Sequence, residues 1–170
     1  GSVRDALWIA IYDSIYDYLN GDLTIYYAKV KMTNALSEYY IAAADIAYQD
    51  GGGILPLDED TAAFANGELQ AQLGFADSLF ATLKGLKKEG DFDANQEASD
   101  HADGYTLSLD ALYNGVKMSA AGSKMLTLVG TDGKVSCHDC QKYKGERHKA
   151  SWWLSRCIFG PPFRMFECGG

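Results

Sequence analysis

Residues Val3–Leu19, VRDALWIAIYDSIYDYL, give the clearest indication of the fold class and are followed by Asn20-Gly21. Apolar side chains recur every three or four positions, whereas charged residues such as Asp13 and Asp17 fill much of the remainder. This is the pattern of an amphipathic helix. Asn-Gly is a typical helix stop, because glycine readily adopts the left-handed conformation there. We therefore predict a first helix over these residues.

Helical spacing continues along most of the following chain. We predict further helices over Leu23–Gln49, from Asp58 to Phe64, from Leu69 to Lys88 and over Tyr105–Met125, with breaks at Gly51–Gly53, Asn66-Gly67 and Gly90. The acidic stretch Asp91–Asp100 is interpreted either as a short helix start or as a loop. The predicted fold class is mainly α, an antiparallel helical bundle over residues 3–125.

The sequence pattern changes from helical to β-prone at Met125. Met125–Val129 is a short β-prone run, and Thr131-Asp132-Gly133 is a plausible hairpin turn. We therefore predict that residues 126–170 form a small, Cys- and His-rich lobe with an irregular or β structure. Trp152 and Trp153 are expected to cover its core.

Charge is divided unequally between these two parts. The chain has a net charge of −8; residues 131–170 contain seven Lys and Arg against four Asp and Glu, so the rest carries −11. An acidic body repels polyanions, so we do not expect nucleic-acid binding by the bundle. Only the lobe could contact phosphate, and its charge of +3 is weak support for such contact. Apolar runs such as Leu7–Ile11 are interrupted well before the roughly 20 residues of a membrane span, so no membrane partner is expected.

The four cysteines, Cys137, Cys140, Cys157 and Cys168, all lie in the lobe. A Cys-x-x-Cys pair places two sulfurs on one metal, and tetrahedral Zn²⁺ needs two more ligands. Cys157 and Cys168 are the leading candidates, with His148 and His138 next. Disulfides and free thiols remain open alternatives to a structural zinc site.

The first two predicted helices carry eight of the eleven tyrosines, at positions 12, 16, 18, 26, 27, 39, 40 and 48. Packing at the edge of the core, with the hydroxyl groups in water, is one interpretation. A Tyr-rich face that binds a partner is the other, since Tyr is enriched at interfaces.

Three segments near the C-terminus carry a resemblance to a known family. GYTLSLDALYNGVKMSAAG at residues 104–122, TDGKVSCHDCQKYKGERH at 131–148 and PPFRMFECGG at 161–170 resemble, in this order, the C-terminal part of phage head-morphogenesis proteins, the Mu-like minor head or portal-associated proteins. On this match Cys137, Cys140 and Cys168 fall on family cysteine positions, whereas Cys157 does not. Family tails usually continue with one or two more cysteines.

The resemblance implies a virion component that acts in head assembly or DNA delivery near the portal, with other head or portal proteins as partners. It also implies location in the virion, or in the host cytoplasm during assembly. The alternatives are a helical adaptor unrelated to phages whose lobe is a zinc-type partner-binding module, and a metal-dependent hydrolase with His148 as a base. The chain contains no HExxH, GxSxG or Walker motif, so we expect a structural protein and not an enzyme.

Overall fold

The computed structural model of the 170-residue chain describes residues 2–122, 124–128, 142–158 and 164–165. For residues 154, 157–158 and 164–165 it describes the backbone alone. These parts are mainly helical, as predicted. The long helices are α1 (Val3–Leu19), α2 (Ile25–Asp50), α3 (Glu59–Glu89) and α4 (Ala94–Ala121).

Each long helix begins at a side chain that caps it. Ser2, Thr24, Asp58 and Asp93 accept hydrogen bonds from the backbone N–H three residues later, which satisfies a donor that has no partner within the helix. Gly90 ends α3 in the left-handed conformation, with φ 79°. The helix limits are therefore encoded locally in the sequence.

Helices α1 and α4 run antiparallel and are linked by hydrogen bonds between their side chains. Trp8 Nε1 donates to Asp103 Oδ1 over 2.7 Å, and Tyr12 Oη donates to Asn95 Oδ1 over 2.6 Å. Residues later in α1 therefore contact residues earlier in α4, as antiparallel helices require. Trp8 and Tyr12 also stack on each other, with ring centroids 5.1 Å apart.

The other two helices complete the antiparallel bundle. Tyr40 Oη donates to the carbonyl of Tyr105 and Tyr113 Oη donates to Asp50, so α2 runs parallel to α4. Thr61 of α3 pairs with Ser119 near the end of α4, so α3 runs antiparallel to both. The largest side chains that are fully buried include Tyr40, Phe80, Leu7, Ile11, Ile15, Met32 and Leu36.

Two sequence predictions about the middle of the chain need correction or completion. The break expected at Asn66-Gly67 is wrong, because α3 is continuous from Glu59 to Glu89. A glycine inside a helix costs about 1 kcal/mol relative to alanine, and the burial of Leu69 and Phe80 on the same helix offsets it. The acidic stretch 91–100 is mostly helical, since α4 begins at Ala94.

Short elements follow the bundle: β1 (Met125–Thr127), β2 (Arg147–Lys149), α5 (Ala150–Leu154), β3 (Cys157–Ile158) and β4 (Arg164–Met165). β1 pairs antiparallel with β2, and β3 pairs antiparallel with β4. The predicted turn Thr131-Asp132-Gly133 lies outside the described residues. In the described part of the chain, no helix is both long enough and apolar enough to cross a membrane.

Candidate functional site in the C-terminal lobe

The C-terminal lobe is attached to the end of α4 by backbone hydrogen bonds. The amide of Ala150 donates to the carbonyl of Lys124 over 2.8 Å, and the amide of Ser151 donates to the carbonyl of Gly122 over 3.0 Å. The start of α5 is therefore held against the chain that leaves the bundle, and β2, which precedes α5 directly, is placed by the same contacts.

Trp153 forms the centre of the small core of the lobe. Its side chain is 3% exposed, and its Nε1 donates to the carbonyl of Leu126 over 3.0 Å. Half-buried apolar side chains pack around it: Met118, Leu126, Leu128, Tyr143 and Trp152. The prediction that the tryptophan pair covers a core in this lobe is confirmed for Trp153.

The neighbouring Trp152 is only half buried. The side chains of His148 and Arg156 pack against its ring. The imidazole of His148 stacks on its indole with 3.6 Å between ring centroids and 10° between planes, and Arg156 Cζ lies 4.2 Å from the ring centroid. Indole is the aromatic ring that attracts cations most strongly. This group of three side chains, which we call the Trp152 stack, holds a histidine and an arginine in defined positions.

The Trp152 stack forms part of a shallow cleft of ≈ 490 Å³. Arg147 and Lys149 line it from β2, where alternate residues point to the same side of a strand. The hydroxyl-bearing Ser151 and Ser155 and the apolar Met125 complete the lining. We call this surface the basic cleft, because three of its side chains are permanently cationic at neutral pH.

The segment 142–158, which supplies most of the basic cleft, contains little acid. Residues 142–158 include five Lys and Arg side chains and a single acid, Glu146. Glu146 Oε2 lies 2.9 Å from His148 Nε2, so this carboxylate has a hydrogen-bonding partner in the lobe. Arg147, Lys149 and Arg156 were not predicted as site residues, although this local excess of cations among aromatic residues is visible in the sequence.

The predicted metal ligands are only partly within the described residues. Cys137, Cys140, Cys168 and His138 lie outside them, and the side chain of Cys157 is not described. The backbone pairing of β3 and β4 sets Cys157 opposite Met165, three positions before Cys168. His148 Nε2 faces Glu146, which leaves Nδ1 for a metal. The described residues alone contain no group of three or more potential ligands.

A second surface of interest lies on the bundle. Tyr26 and Ile41 are 67% and 57% exposed, and Val30 lies between them on the same face of α2 by its spacing. We call these three residues the α2 face. At Ile41 this face meets a cleft of ≈ 150 Å³ between α2 and α3, whose lining also includes Leu57 and Leu69.

The tyrosines of α1 and α2 are divided between core and surface. Tyr18, Tyr40 and Tyr48 are buried, whereas Tyr26 and Tyr27 are largely exposed. Both interpretations of the sequence therefore apply, each to different residues: the buried tyrosines pack in the core, and the exposed pair is available to a partner.

The chain was compared with protein-family models, with curated proteins and with solved structures. None of the three comparisons finds a match.

Proposed function

We propose that this chain is a structural interaction protein of a phage head, similar to Mu-like minor head or portal-associated proteins, that acts in capsid assembly or DNA delivery. Its proposed partners are other head or portal proteins. Support comes from the three C-terminal segments that resemble this family and from the surface of the bundle. The observation that carries the proposal is the α2 face.

The α2 face has the chemistry of a protein-docking surface. Tyr26 and Ile41 are mostly exposed and Val30 is partly exposed, and exposed apolar side chains that share a helix face can mark an interaction site. Tyr26 offers a rigid ring with a polar tip, a combination enriched at interfaces. The cleft beside Ile41 is lined mainly by apolar groups, which suits an apolar anchor from a partner.

Co-expression with the portal protein and the major capsid protein encoded in the same genome tests this proposal. We expect the full chain to co-purify with one of them as a complex of defined mass in native mass spectrometry. The double substitution Tyr26→Ser with Ile41→Ser should weaken the complex about tenfold or more, since buried aromatic anchors carry much of the binding energy.

Phe75→Ser supplies the matched control, because Phe75 is an exposed aromatic residue on α3, 62% exposed, outside the α2 face. This control should leave the affinity nearly unchanged. The proposal fails if the chain remains alone in the presence of both head proteins, or if both variants weaken the complex equally.

We further propose that the lobe holds a structural Zn²⁺ through Cys137 and Cys140, with Cys157 and Cys168 as the leading remaining ligands and His148 as a substitute. The β3–β4 pairing supports this set, because it brings the chain at Cys157 close to the segment that leads to Cys168. A thiolate site of this kind would stabilise a lobe whose described core is small.

Metal analysis of the purified chain, combined with thiol titration, tests the zinc proposal. We expect about one Zn²⁺ per chain, as for a site with four ligands, and its loss in Cys137→Ser with Cys140→Ser. A metal-free chain with reactive thiols contradicts the proposal. A metal-free chain without reactive thiols supports disulfides instead.

A further inference from the structure

The basic cleft combines cations, hydroxyl groups and an aromatic stack on a surface that the docking of head proteins to α2 does not use. Arg147 and Lys149 are both exposed. They lie on β2 opposite Thr127 and Met125 of β1, so two cations stand side by side on the outer face of a two-stranded ribbon. This pair forms one half of a positively charged surface.

Arg156, two residues after the end of α5, contributes a third cation to this surface. Its guanidinium packs on Trp152 with Cζ 4.2 Å from the ring centroid, and Nη1 donates to Ser155 Oγ over 3.0 Å. Packing on an aromatic ring uses the flat face of a guanidinium and leaves N–H groups on its edge to bind an anion. Trp152 therefore fixes the direction in which Arg156 presents these donors.

We infer that the basic cleft binds the phosphodiester backbone of a nucleic acid, without base specificity. Lys and Arg supply the charge that phosphate requires, and Ser hydroxyls are common additional donors to phosphate oxygens. The cleft offers three cations and one such hydroxyl, from Ser151, because the Ser155 hydroxyl donates to the carbonyl of Trp152 over 2.8 Å. The only acid in residues 142–158, Glu146, lies against His148.

An acidic protein surface fits the basic cleft less well. The centre of a protein–protein interface is usually depleted in charge and rich in apolar area, whereas among the described residues Met125 is the one aliphatic side chain that lines this cleft. Interfaces with nucleic acid are more polar and more positively charged. The composition of the cleft favours a nucleic acid over an acidic protein, including a second copy of this chain.

The acidic bundle does not prevent this binding. The lobe follows the C-terminal end of α4, whose 28 residues span about 42 Å at 1.5 Å per residue. Exposed charges are largely screened beyond about 8–10 Å at physiological ionic strength. Most of the negative charge of the bundle is therefore screened from a strand that lies in the basic cleft.

Fluorescence anisotropy with the full chain tests this inference. The probes are a labelled single-stranded oligonucleotide of mixed sequence and the duplex of the same sequence, each titrated at two salt concentrations. We expect saturable binding that weakens as salt rises, because counterions are released from the phosphates. Comparison of the two probes shows which form of nucleic acid supplies the phosphodiester.

The double substitution Arg147→Gln with Lys149→Gln removes the two strand cations. It should weaken binding about tenfold and reduce the slope of log affinity against log salt by roughly two, one for each phosphate contact. Lys84→Gln with Lys88→Gln changes the net charge equally at exposed positions of α3. This control should change affinity less than the lobe variant does. Near-ultraviolet circular dichroism verifies that the lobe of each variant retains its fold.

Three results would overturn the inference. The first is the absence of saturable binding to either probe at low salt. The second is an equal loss in the lobe variant and the α3 control, which would indicate a general charge effect. The third is salt-sensitive self-association that needs Arg147 and Lys149 while the oligonucleotides do not bind, which would assign the cleft to an acidic protein surface.

Discussion

The backbone of Gly51, at the end of α2, lies directly against the backbone carbonyl of Lys117 on α4. A Cβ atom built on Gly51 would overlap the Lys117 oxygen and lie 2.7 Å from the Cβ of Ala120. Gly51 has φ −77°, which any residue can adopt, so the constraint is space and not backbone conformation. The two helices approach this closely only because no side chain stands between them.

Gly51→Ala should therefore destabilise the bundle. Overpacking against a backbone group that cannot rotate away costs roughly 1–3 kcal/mol, and urea denaturation would measure the loss. Gly67→Ala is the matched control, because nothing lies within 4 Å of a Cβ built there in the middle of α3. That change should stabilise by about 0.5–1 kcal/mol. Equal effects of the same sign would contradict the close packing.

Trp153→Phe should loosen the lobe while the bundle remains folded. Phenylalanine retains most of the buried ring but cannot donate to the Leu126 carbonyl, and the loss of such a hydrogen bond costs about 0.5–1.5 kcal/mol. Amide hydrogen exchange should show faster exchange at Leu128, whose amide donates to the carbonyl of Glu146, and unchanged exchange in α1 and α2. Uniformly faster exchange would show instead that lobe and bundle unfold together.

The bundle should lose stability at alkaline pH. Burial raises the pKa of Tyr105 to about 12, above the value of about 10 in an unfolded chain. The stabilisation is complete below pH 10 and is lost as pH rises towards 12, because the unfolded state releases its proton first. Urea denaturation across this range should show a shallower decline for Tyr105→Phe. An identical decline would show that Tyr105 does not contribute.

Asp58 should make the start of α3 sensitive to acid. Its carboxylate accepts a hydrogen bond from the backbone N–H of Thr61 over 2.8 Å. This hydrogen bond is the main reason that the pKa of Asp58 is lowered. The stabilisation is present above the unfolded pKa of about 3.9 and is lost as pH falls below it. Asp58→Ala should cost about 1 kcal/mol at neutral pH.

Asp58→Asn separates the cap from its titration. The amide oxygen still accepts the Thr61 N–H but does not titrate, so this variant should lose less stability than wild type between neutral pH and pH 3. Thermal denaturation at both pH values gives the comparison. A loss in Asp58→Asn as large as in wild type would show that other acids cause the acid sensitivity.

Much of the bundle was predictable, because its signals act within one helical turn. The apolar period of Val3–Leu19 and the stop at Gly90 were predicted and are confirmed. The break predicted at Asn66-Gly67 is wrong because contacts from elsewhere in the chain outweigh local propensity. The side chain of Thr24 caps α2, since a cap depends on which side-chain oxygen reaches the third amide.

The candidate sites were less predictable for the same physical reason. The sequence left open whether the tyrosines of α1 and α2 pack at the edge of the core or form a partner-binding face, and only packing decided that Tyr26 is exposed while Tyr40 is buried. The predicted zinc ligands stay a prediction, since Cys137, Cys140 and Cys168 lie outside the described residues. The sequence identified the lobe as the only part that could contact phosphate, but it did not identify the side chains of the basic cleft.

The residue pattern alone indicates a mainly helical, acidic body with a basic, cysteine-bearing lobe, because periodicity, caps and charge are local properties of a chain. Folding of the chain brings Arg147 and Lys149 of β2 into the lining of the same cleft as Trp152 and Arg156. Such convergence depends on the pairing of β2 with β1 and on the hydrogen bonds that hold the start of α5 against the end of α4. These long-range contacts determine which way the side chains of the cleft point, and no local sequence pattern specifies that.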